Sequence, residues 1–375
     1  MDRQEALTRR VHAQQLDRSV AERPLTDAAV LDLGVQDTGR DGASWALVNR
    51  GVPVASPATL EQAAELALAW TLRGAPHYYR RDDLADVFVA TSPFSEADAA
   101  KRVVGAAAPL AEVGTTAREG LAEVATALRA VVQEPLVKGE VSGRLAAVLP
   151  AQHLRDCVPC QARHAWEMPF RLAALQAGLE LVPGTSPPVL RRIPHWPRRS
   201  WGPAEDPGAA PARLQVVRGY LRLLGPAAPT DVATFLDSTA TEVKRRWPED
   251  AVPVEVEGRR VWTLPEADDG RVAPVADLVR LLGPYDQLLQ ARDRMLLVPD
   301  RNRHKALWPT IGRPGALLVG TDVAGTWRPR ASGSALALKL DLWQPVTAAV
   351  RARVGEEAER LAAHRGLRLG AVEVG

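Results

Sequence analysis

Residues 213–264 read RLQVVRGYLRLLGPAAPTDVATFLDSTATEVKRRWPEDAVPVEVEGRRVWTL, and this stretch decides the fold class of the chain. Its first apolar residues recur at helical spacing and stop at Gly225 and Pro226, where a glycine that can take a left-handed cap precedes a proline that cannot continue a helix. A short second helix follows, and Thr239 and Glu242 have the spacing of a capping box that begins a third helix. The stretch therefore predicts three short helices in a row.

Two alternating runs follow the helices, at residues 253–257 and 260–264. Glu257 and Gly258 join them, and a glycine at this position suits a tight hairpin turn. Three helices followed by a β-hairpin is the order of a winged helix, whose third helix enters the DNA major groove while the hairpin lies on the backbone.

Three basic residues, Lys244, Arg245 and Arg246, lie on the predicted third helix. Cations at this place can neutralise phosphates or reach guanine edges, so we expect them to contact DNA. The alternatives are a small helical domain with a solvated charged face and a winged helix that docks onto another protein.

The order of helices followed by a hairpin is predicted twice more, upstream of this stretch. A strand at residues 66–72 turns into His77 after two short helices, and strands at 179–182 and 189–193 follow a long helix at 116–132. Beyond residue 280, strands at 296–298, 316–320, 324–330 and 335–342 and a helix at 356–365 are expected. We therefore predict an α+β fold of three tandem winged-helix domains and a C-terminal β-rich, barrel-like domain, at residues 1–95, 96–196, 205–275 and 280–375.

The composition describes a globular chain with local basic patches. Apolar residues make up 46% of the 375 residues, and 47 basic against 45 acidic residues give a net charge of +2. Nucleic-acid affinity must therefore come from patches, and one acid-free run carries Arg191, Arg192, Arg198 and Arg199 beside a predicted strand. No run of eighteen apolar residues and no apolar signal segment is present, so we expect a cytoplasmic protein without a membrane span.

A glycine-rich loop lies between the first predicted helices, at residues 34–42. Three glycines and two aspartates in nine residues indicate a structured loop with unusual backbone angles that ends at the start of a helix.

His153, Cys157, Cys160 and His164 form the pattern H-x3-C-x2-C-x3-H. These side chains are competent ligands of a structural zinc ion in tetrahedral N2S2 geometry. Alternatively, each cysteine is a small buried apolar residue. A dithiol redox role is disfavoured because no thioredoxin-like βαβ unit surrounds the pair.

In this order of elements the chain resembles the AlkZ and YcaQ type DNA glycosylases, which are built from three tandem winged helices and a C-terminal β-domain around a DNA cleft. The resemblance covers nearly the whole chain. It is most specific at residues 33–36 (LGVQ), 71–74 (TLRG), 138–140 (KGE), 170–181, 282–286 (LGPYD) and 325–328 (GTWR).

The resemblance implies hydrolysis of the N-glycosidic bond of alkylated bases by a Gln-x-Gln or Gln-x-Asp motif, and it assigns catalysis to Gln36, Asp37 and Thr38. The second motif position is Thr38, and on an extended segment Asp37 points away from the face shared by Gln36 and Thr38. Either a bulge turns Asp37 inward to activate a water held by Gln36, or the activity is altered or absent. A third possibility is that Asp37 caps a turn or the following helix.

Aromatic and basic residues after the turn at residues 73–76 suit a platform for the DNA backbone or a base, although the rings could equally cover the core of their own unit. The leading hypothesis is a DNA-repair glycosylase, acting as a monomer on duplex DNA without a cofactor for its chemistry, that removes alkylated or bulky purines. The alternatives are a non-catalytic DNA-binding regulator or drug-sequestering protein and a zinc-stabilised interaction protein. The residues expected to contact DNA are His77, Tyr79, Arg80, Lys138, Arg191, Arg192, Arg198, Arg199, Lys244, Arg245, Arg246 and Arg328.

Overall fold

The computed structural model describes residues 1–197, 206–265 and 273–375. The first unit contains these elements: α1 (Arg3–Ala13), β1 (Val35–Gln36), α2 (Gly42–Val48), α3 (Pro57–Glu61), β2 (Leu66–Trp70), β3 (Pro76–Arg80) and α4 (Leu84–Thr91). The second unit continues the chain: α5 (Glu96–Arg102), α6 (Ala107–Glu112), α7 (Ala117–Val131), β4 (Leu136–Val137), α8 (Lys138–Val148), β5 (Leu154–Cys157), β6 (Ala162–Ala165), α9 (Glu167–Gln176), β7 (Leu179–Leu181) and β8 (Val189–Arg192).

The third unit has the predicted helices and hairpin: α10 (Val216–Leu224), α11 (Pro229–Leu236), α12 (Ala240–Arg245), β9 (Val252–Val256) and β10 (Arg259–Thr263). The Thr239 side chain accepts a hydrogen bond from the backbone N–H of Glu242, as a helix N-cap should. Glu257 and Gly258 both have positive φ, of 49° and 73°, which is the geometry of a tight hairpin turn.

Gly225 differs from its prediction, because its φ of −72° is not left-handed. A Cβ at this position would lie 2.1 Å from the carbonyl oxygen of Leu221. Glycine is therefore needed for close backbone approach, and not for a left-handed cap.

The hairpins of the first and second units belong to one six-stranded sheet, with the strand order β1-β3-β2-β7-β8-β4. The two halves meet where Leu68 of β2 pairs with Leu181 of β7. The division expected at residue 95 is thus not a division between two sheets. The hairpin of β5 and β6 was not predicted, because its exposed LRDC and ARHA segments lack an apolar face.

The C-terminal unit contains β11 (Val279–Leu282), α13 (Arg294–Leu297), α14 (Arg301–Leu307), β12 (Gly315–Val319), β13 (Asp322–Ser332), β14 (Ala335–Leu342), α15 (Ala348–His364) and β15 (Arg368–Val374). Its five strands, in the order β11-β12-β13-β14-β15, form one sheet that curls into a half-barrel. The strand predicted at 296–298 is wrong. That short apolar run is the end of helix α13, and such a run does not distinguish a buried helix from a strand.

Two buried ion pairs join the first unit to the segment that follows β11 in the C-terminal unit. Arg10 contacts Asp293 at 2.5 Å and Arg50 contacts Asp286 at 2.8 Å. Both side chains of the second pair are fully buried, so removal of one partner would leave an uncompensated charge in the core. These pairs fix the segment between Asp286 and Asp293 against the N-terminal helices.

Within the described ranges, no helix is both long and apolar enough to cross a membrane.

Candidate active site

The Gln36–Thr38 motif begins on an edge strand of the six-stranded sheet. In the pairing of β1 with β3, Val35 lies opposite Tyr78 and Gln36 lies opposite His77. The ladder continues one residue further, because the backbone N–H of Asp37 donates to the carbonyl of Pro76 at 2.9 Å. The segment is therefore extended through Asp37 without a bulge, and successive side chains point to opposite faces.

Gln36 and Thr38 share one face, on which a network of side-chain amides holds them. The Gln36 Nε2 donates to the Thr38 Oγ1 at 3.0 Å. The Gln36 Oε1 accepts from the Nε2 of Gln290 at 3.0 Å. Arg73 donates to the Oε1 of Gln290 at 2.7 Å and reaches the Oε1 of Gln36 at 3.5 Å. Both ends of the Gln36 amide are thus fixed in one orientation.

Arg73 reaches this network from a strained turn between β2 and β3. Its φ of 58° lies in the left-handed region, which a side chain other than glycine occupies at a cost in energy. The Arg73 guanidinium also donates to the carbonyl of Phe235 at 2.8 Å. A strained residue that is held by surrounding contacts is a frequent feature of functional sites.

Beneath this turn lie His77 and Tyr79, which were expected on a DNA-contacting surface. Both are buried. The Thr71 hydroxyl is 2.8 Å from the Tyr79 hydroxyl and 3.1 Å from the Nδ1 of His77, which also lies 2.9 Å from the carbonyl oxygen of Ala75. Burial, and after it the charge of Arg73, lowers the pKa of His77 to about 3, so the imidazole is neutral. The prediction of a surface platform is corrected, because these rings pack beneath the Arg73 turn.

Gly34, immediately before β1, is required by the same packing. Its φ is 89°, and a Cβ there would lie 2.5 Å from the Tyr79 hydroxyl oxygen. The glycine therefore lets the motif strand lie directly over the Tyr79 ring.

Asp37 faces the other way, into an open pocket of about 500 Å³ between the first unit and the hairpin loop of the second. Its Oδ1 accepts a long hydrogen bond of 3.4 Å from the backbone N–H of Ala43, in the first turn of α2. The pKa of Asp37 is raised to about 6, mainly by burial and to a smaller extent by the negative charges of Glu61 and Asp41. In this structure Asp37 does not share the face of Gln36 and Thr38, and it contacts the start of the following helix.

Two predicted DNA contacts near the first and second units are engaged inside the protein. Arg80 forms an ion pair with Asp32 and donates to the carbonyl of Ala28 at 3.0 Å. Lys138 contacts Glu167 at 2.9 Å. DNA contact by Arg80 and Lys138 stays a prediction, in which these cations would have to exchange or share their carboxylate partners.

The structure describes two of the four arginines of the predicted basic run, and both have partners within the protein. Arg191 pairs with Glu180 at 2.8 Å, and Arg192 donates to the carbonyl of Val132 at 2.7 Å, at the end of α7. Arg198 and Arg199 lie outside the described residues.

The cations of the third unit and of the C-terminal sheet are more accessible. Lys244 and Arg328 are exposed, and neither has an ion-pair partner in the portion of the chain that the structure describes. Arg245 contacts Glu242 at 2.8 Å but keeps a side chain that is 66% exposed, whereas Arg246 pairs with Asp206. Lys244 and Arg328 are thus the predicted DNA contacts that offer unpaired charge.

Three of the four proposed zinc ligands come together at the tip of the β5–β6 hairpin. The ligand atoms of Cys157, Cys160 and His164 all lie within 4.8 Å of one another. His153 is separate and buried, with its Nε2 2.6 Å from a carboxylate oxygen of Glu123. The four-ligand prediction is corrected to a three-ligand group.

Arg73 and Gln290 were not assigned to the site from the sequence. Arg73 lies within one of the segments that carry the family resemblance, and Gln290 follows another by four residues. The positive φ of Arg73 and the position of Gln290, far from Gln36 in sequence, are tertiary features that no local pattern encodes.

The fold as a whole resembles a solved DNA glycosylase structure. Streptomyces sahachiroi DNA glycosylase AlkZ superposes with a TM-score of 0.71 at 19% identity, over 100% of this chain and 99% of that chain. No curated protein sequence matches the chain.

The family model described as "DNA glycosylase AlkZ-like" matches residues 30–364. The chain therefore belongs to the AlkZ-like DNA glycosylase family and is an enzyme of DNA repair.

Proposed function

We propose that this glycosylase removes alkylated or bulky purines from duplex DNA, and that the face formed by Gln36 and Thr38 holds the water that adds to the sugar. The observation that carries the proposal is the oriented Gln36 amide, which is fixed at one end by Thr38 and at the other by Gln290. Groups fixed before the substrate arrives need no reorganisation during the reaction.

The proposed substrate class rests on the chemistry of the Gln36 and Thr38 side chains, which include no general acid or base. Its amides and hydroxyl can orient a water, but none of them is a strong acid or base. A purine alkylated at a ring nitrogen carries a positive charge, so it leaves with the electron pair of the glycosidic bond as a neutral base and needs no general acid. Water then bonds to the C1′ of the oxocarbenium-like sugar and releases a proton to solvent. Such a reaction needs orientation more than proton transfer, and it needs no cofactor.

The hydroxyl of Thr38 fits the second position of the motif in this role. Its oxygen accepts the hydrogen bond from Gln36, which leaves its own O–H free to meet a water. Asp37, with its carboxylate in the opposite pocket, is the alternative partner that the sequence suggested. The structure favours Thr38 because Gln36 and Thr38 share a face.

The test is release of free base from duplex DNA that carries 7-methylguanine, read as strand cleavage after alkaline treatment of the abasic site. We expect cleavage by the native protein, strong loss in Gln36→Ala and Thr38→Val, and retention in Asp37→Asn. Loss in Asp37→Asn with retention in Thr38→Val would place the reaction in the Asp37 pocket. No base release from either methylated or bulkier purine lesions would overturn the proposed substrate class.

We also propose that Cys157, Cys160 and His164 bind a structural zinc ion with a water as fourth ligand. The spacing of their ligand atoms supports this, as does the exposure of the hairpin tip, where Val158 is 87% exposed. A two-stranded hairpin with little burial is marginal in water, and a metal that joins its strands would stabilise it.

For the duplex, we propose contacts from Lys244 on α12 and from Arg328 on β13, since both carry exposed charge without an internal partner. In this arrangement the third unit acts as a winged helix.

A further inference from the structure

Four arginines influence one another through their charges, and one of them, Arg73, bonds to the fixed amides. Arg73 bonds to Gln290, and Arg292 and Arg294 follow Gln290 by two and four residues, while Arg313 lies just before β12. Burial and then the charge of Arg292 lower the pKa of Arg73 to about 10. Burial and then the charge of Arg313 lower the pKa of Arg294. The four guanidinium groups are therefore close enough to repel one another, and we call them the arginine cluster.

The arginine cluster, whose members are half-buried, has no ion-pair partner among the residues that the structure describes, in contrast to two fully buried arginines of the first unit. Arg10 and Arg50 each contact a carboxylate at hydrogen-bond distance. The charge of Asp237 reaches Arg73 and Arg292, but Asp237 forms no ion pair with either in the described chain. The Nε of Arg292 is buried and bonds to no acceptor in the described part of the protein. Concentrated positive charge without a counter-ion is unfavourable unless an anion binds it.

Aromatic rings orient three of these guanidinium groups. Arg73 lies 4.6 Å from the ring centre of Phe235, and Arg294 lies 4.7 Å from that of Trp308. Arg313 lies 5.0 Å from the ring centre of Tyr285. A guanidinium stacked by its flat face keeps its N–H edges available, and those edges match the oxygen atoms of a phosphate.

We propose that the arginine cluster binds the phosphates of the damaged strand on either side of the nucleotide whose base is removed. This inference rests on the proposed function, because it takes the Gln36 face as the place where the sugar reacts. The chain of bonds from Arg73 through Gln290 to Gln36 puts Arg73 next to that face, and the charges of Arg292 and Arg313 reach Arg73. Four unneutralised cations would oppose the positive charge that develops on the sugar, whereas bound phosphates would neutralise them and hold the nucleotide in place.

The test measures the affinity of the full chain for a duplex that carries a tetrahydrofuran abasic analogue, over a range of salt concentrations. Arg294→Gln and Arg313→Gln should each weaken binding about tenfold and reduce the slope of log K against log salt by about 0.9. Arg303→Gln is the matched control, because Arg303 also lies over a tryptophan, Trp343, but has a carboxylate partner in Asp300. We expect that control to keep the native slope. Unchanged slopes in both cluster variants would overturn the proposal.

A second arm changes the DNA and leaves the protein intact. Neutral methylphosphonates placed at the two phosphates beside the abasic analogue should weaken native binding, and the same substitution several nucleotides away should weaken it less. In Arg294→Gln the adjacent substitution should have a smaller effect than in the native protein. Equal effects at adjacent and remote phosphates would contradict the proposal.

The two proposals fail in different ways. Native protein that releases no base from any purine lesion, but shows the expected slopes and position-dependent methylphosphonate effect, would remove the proposed function and keep the phosphate site. If the native protein excises 7-methylguanine but the cluster variants keep the native salt slope, the proposed function stands and the phosphate site is refuted.

Discussion

The side-chain Nε2 of Gln290 donates to the Oε1 of Gln36 at 3.0 Å, although 254 positions separate the two residues in the chain. Gln290 also donates to the carbonyl of Tyr285 at 3.1 Å and accepts from Arg73 at 2.7 Å. An amide with its donors and acceptor engaged in this way has one stable orientation, and it passes that orientation to Gln36. A segment of the C-terminal unit thus sets the geometry of the Gln36–Thr38 motif in the first unit.

Gln290→Ala should therefore slow base release while DNA still binds. The freed Gln36 amide would sample other rotamers, and a misplacement of about 1 Å can cost about a hundredfold in rate. The measurement is the single-turnover rate on a 7-methylguanine duplex, with the dissociation constant determined separately.

Gln287→Ala is the matched control for that experiment, since Gln287 is a buried glutamine of the same short helical segment and has no bond to Gln36 within the described chain. A Gln290→Ala rate equal to that of the native protein, or an equal loss in Gln287→Ala, would contradict a positioning role for Gln290.

Local patterns in the sequence predict much of this fold. The Thr239 cap, the Glu257-Gly258 turn and the resemblance at residues 33–36 led to the third unit, to its hairpin and to the family. The residue types at these positions were sufficient for the prediction, because helix caps and tight turns depend on residues close in sequence.

The site itself depends on contacts that local patterns do not contain. The sequence assigned His77 to a surface, and it is buried beneath the Arg73 turn. Arg80 was expected to contact DNA because it is basic and lies near a turn. It forms an ion pair with Asp32, which is distant in sequence. Which cations remain unpaired is decided by tertiary packing, and composition alone cannot show it.

Asp286→Asn should destabilise the fold by about 3–5 kcal/mol, because it removes the buried partner of Arg50 and leaves that charge uncompensated. Asp286 also accepts from the backbone N–H of Leu288 at 3.0 Å, so the segment that carries Gln290 should loosen. Denaturant unfolding gives the free energy.

Asp300→Asn is the control for this charge, because the Asp300 side chain is 54% exposed and its ion pair with Arg303 is long, at 3.7 Å. Its loss should cost no more than about 1 kcal/mol. Equal effects of the two substitutions would refute the importance of the buried pair.

Asp37→Asn should stabilise the protein in a pH-dependent way. Because burial raises the pKa of Asp37 to about 6, the folded state holds a proton that the unfolded state has already lost at pH values between about 4 and 6. Stability contributed by this group is therefore present at low pH and is lost as the pH rises through about 6. The substitution should raise the free energy of unfolding at pH 8 and change it little at pH 4.

Unfolding at both pH values measures the Asp37 effect, and Asp341→Asn, at an exposed strand position, serves as the control. A gain of the same size at pH 4 and pH 8 in Asp37→Asn would show that the titration of Asp37 is not its cause.

Zinc content distinguishes the three-ligand group from the four-ligand pattern of the sequence. We expect one zinc per chain in the native protein and loss of the metal in Cys160→Ser, because its thiolate is one of three protein ligands. His153→Asn should retain the metal, since His153 bonds to Glu123 and lies apart from the hairpin tip. Metal analysis after dialysis gives the stoichiometry.

Proteolysis of the β5–β6 hairpin should become faster after chelation in native protein and in His153→Asn alike. Loss of zinc in His153→Asn would restore the four-ligand site, and native protein without zinc would leave the hairpin to be held by its backbone pairing alone.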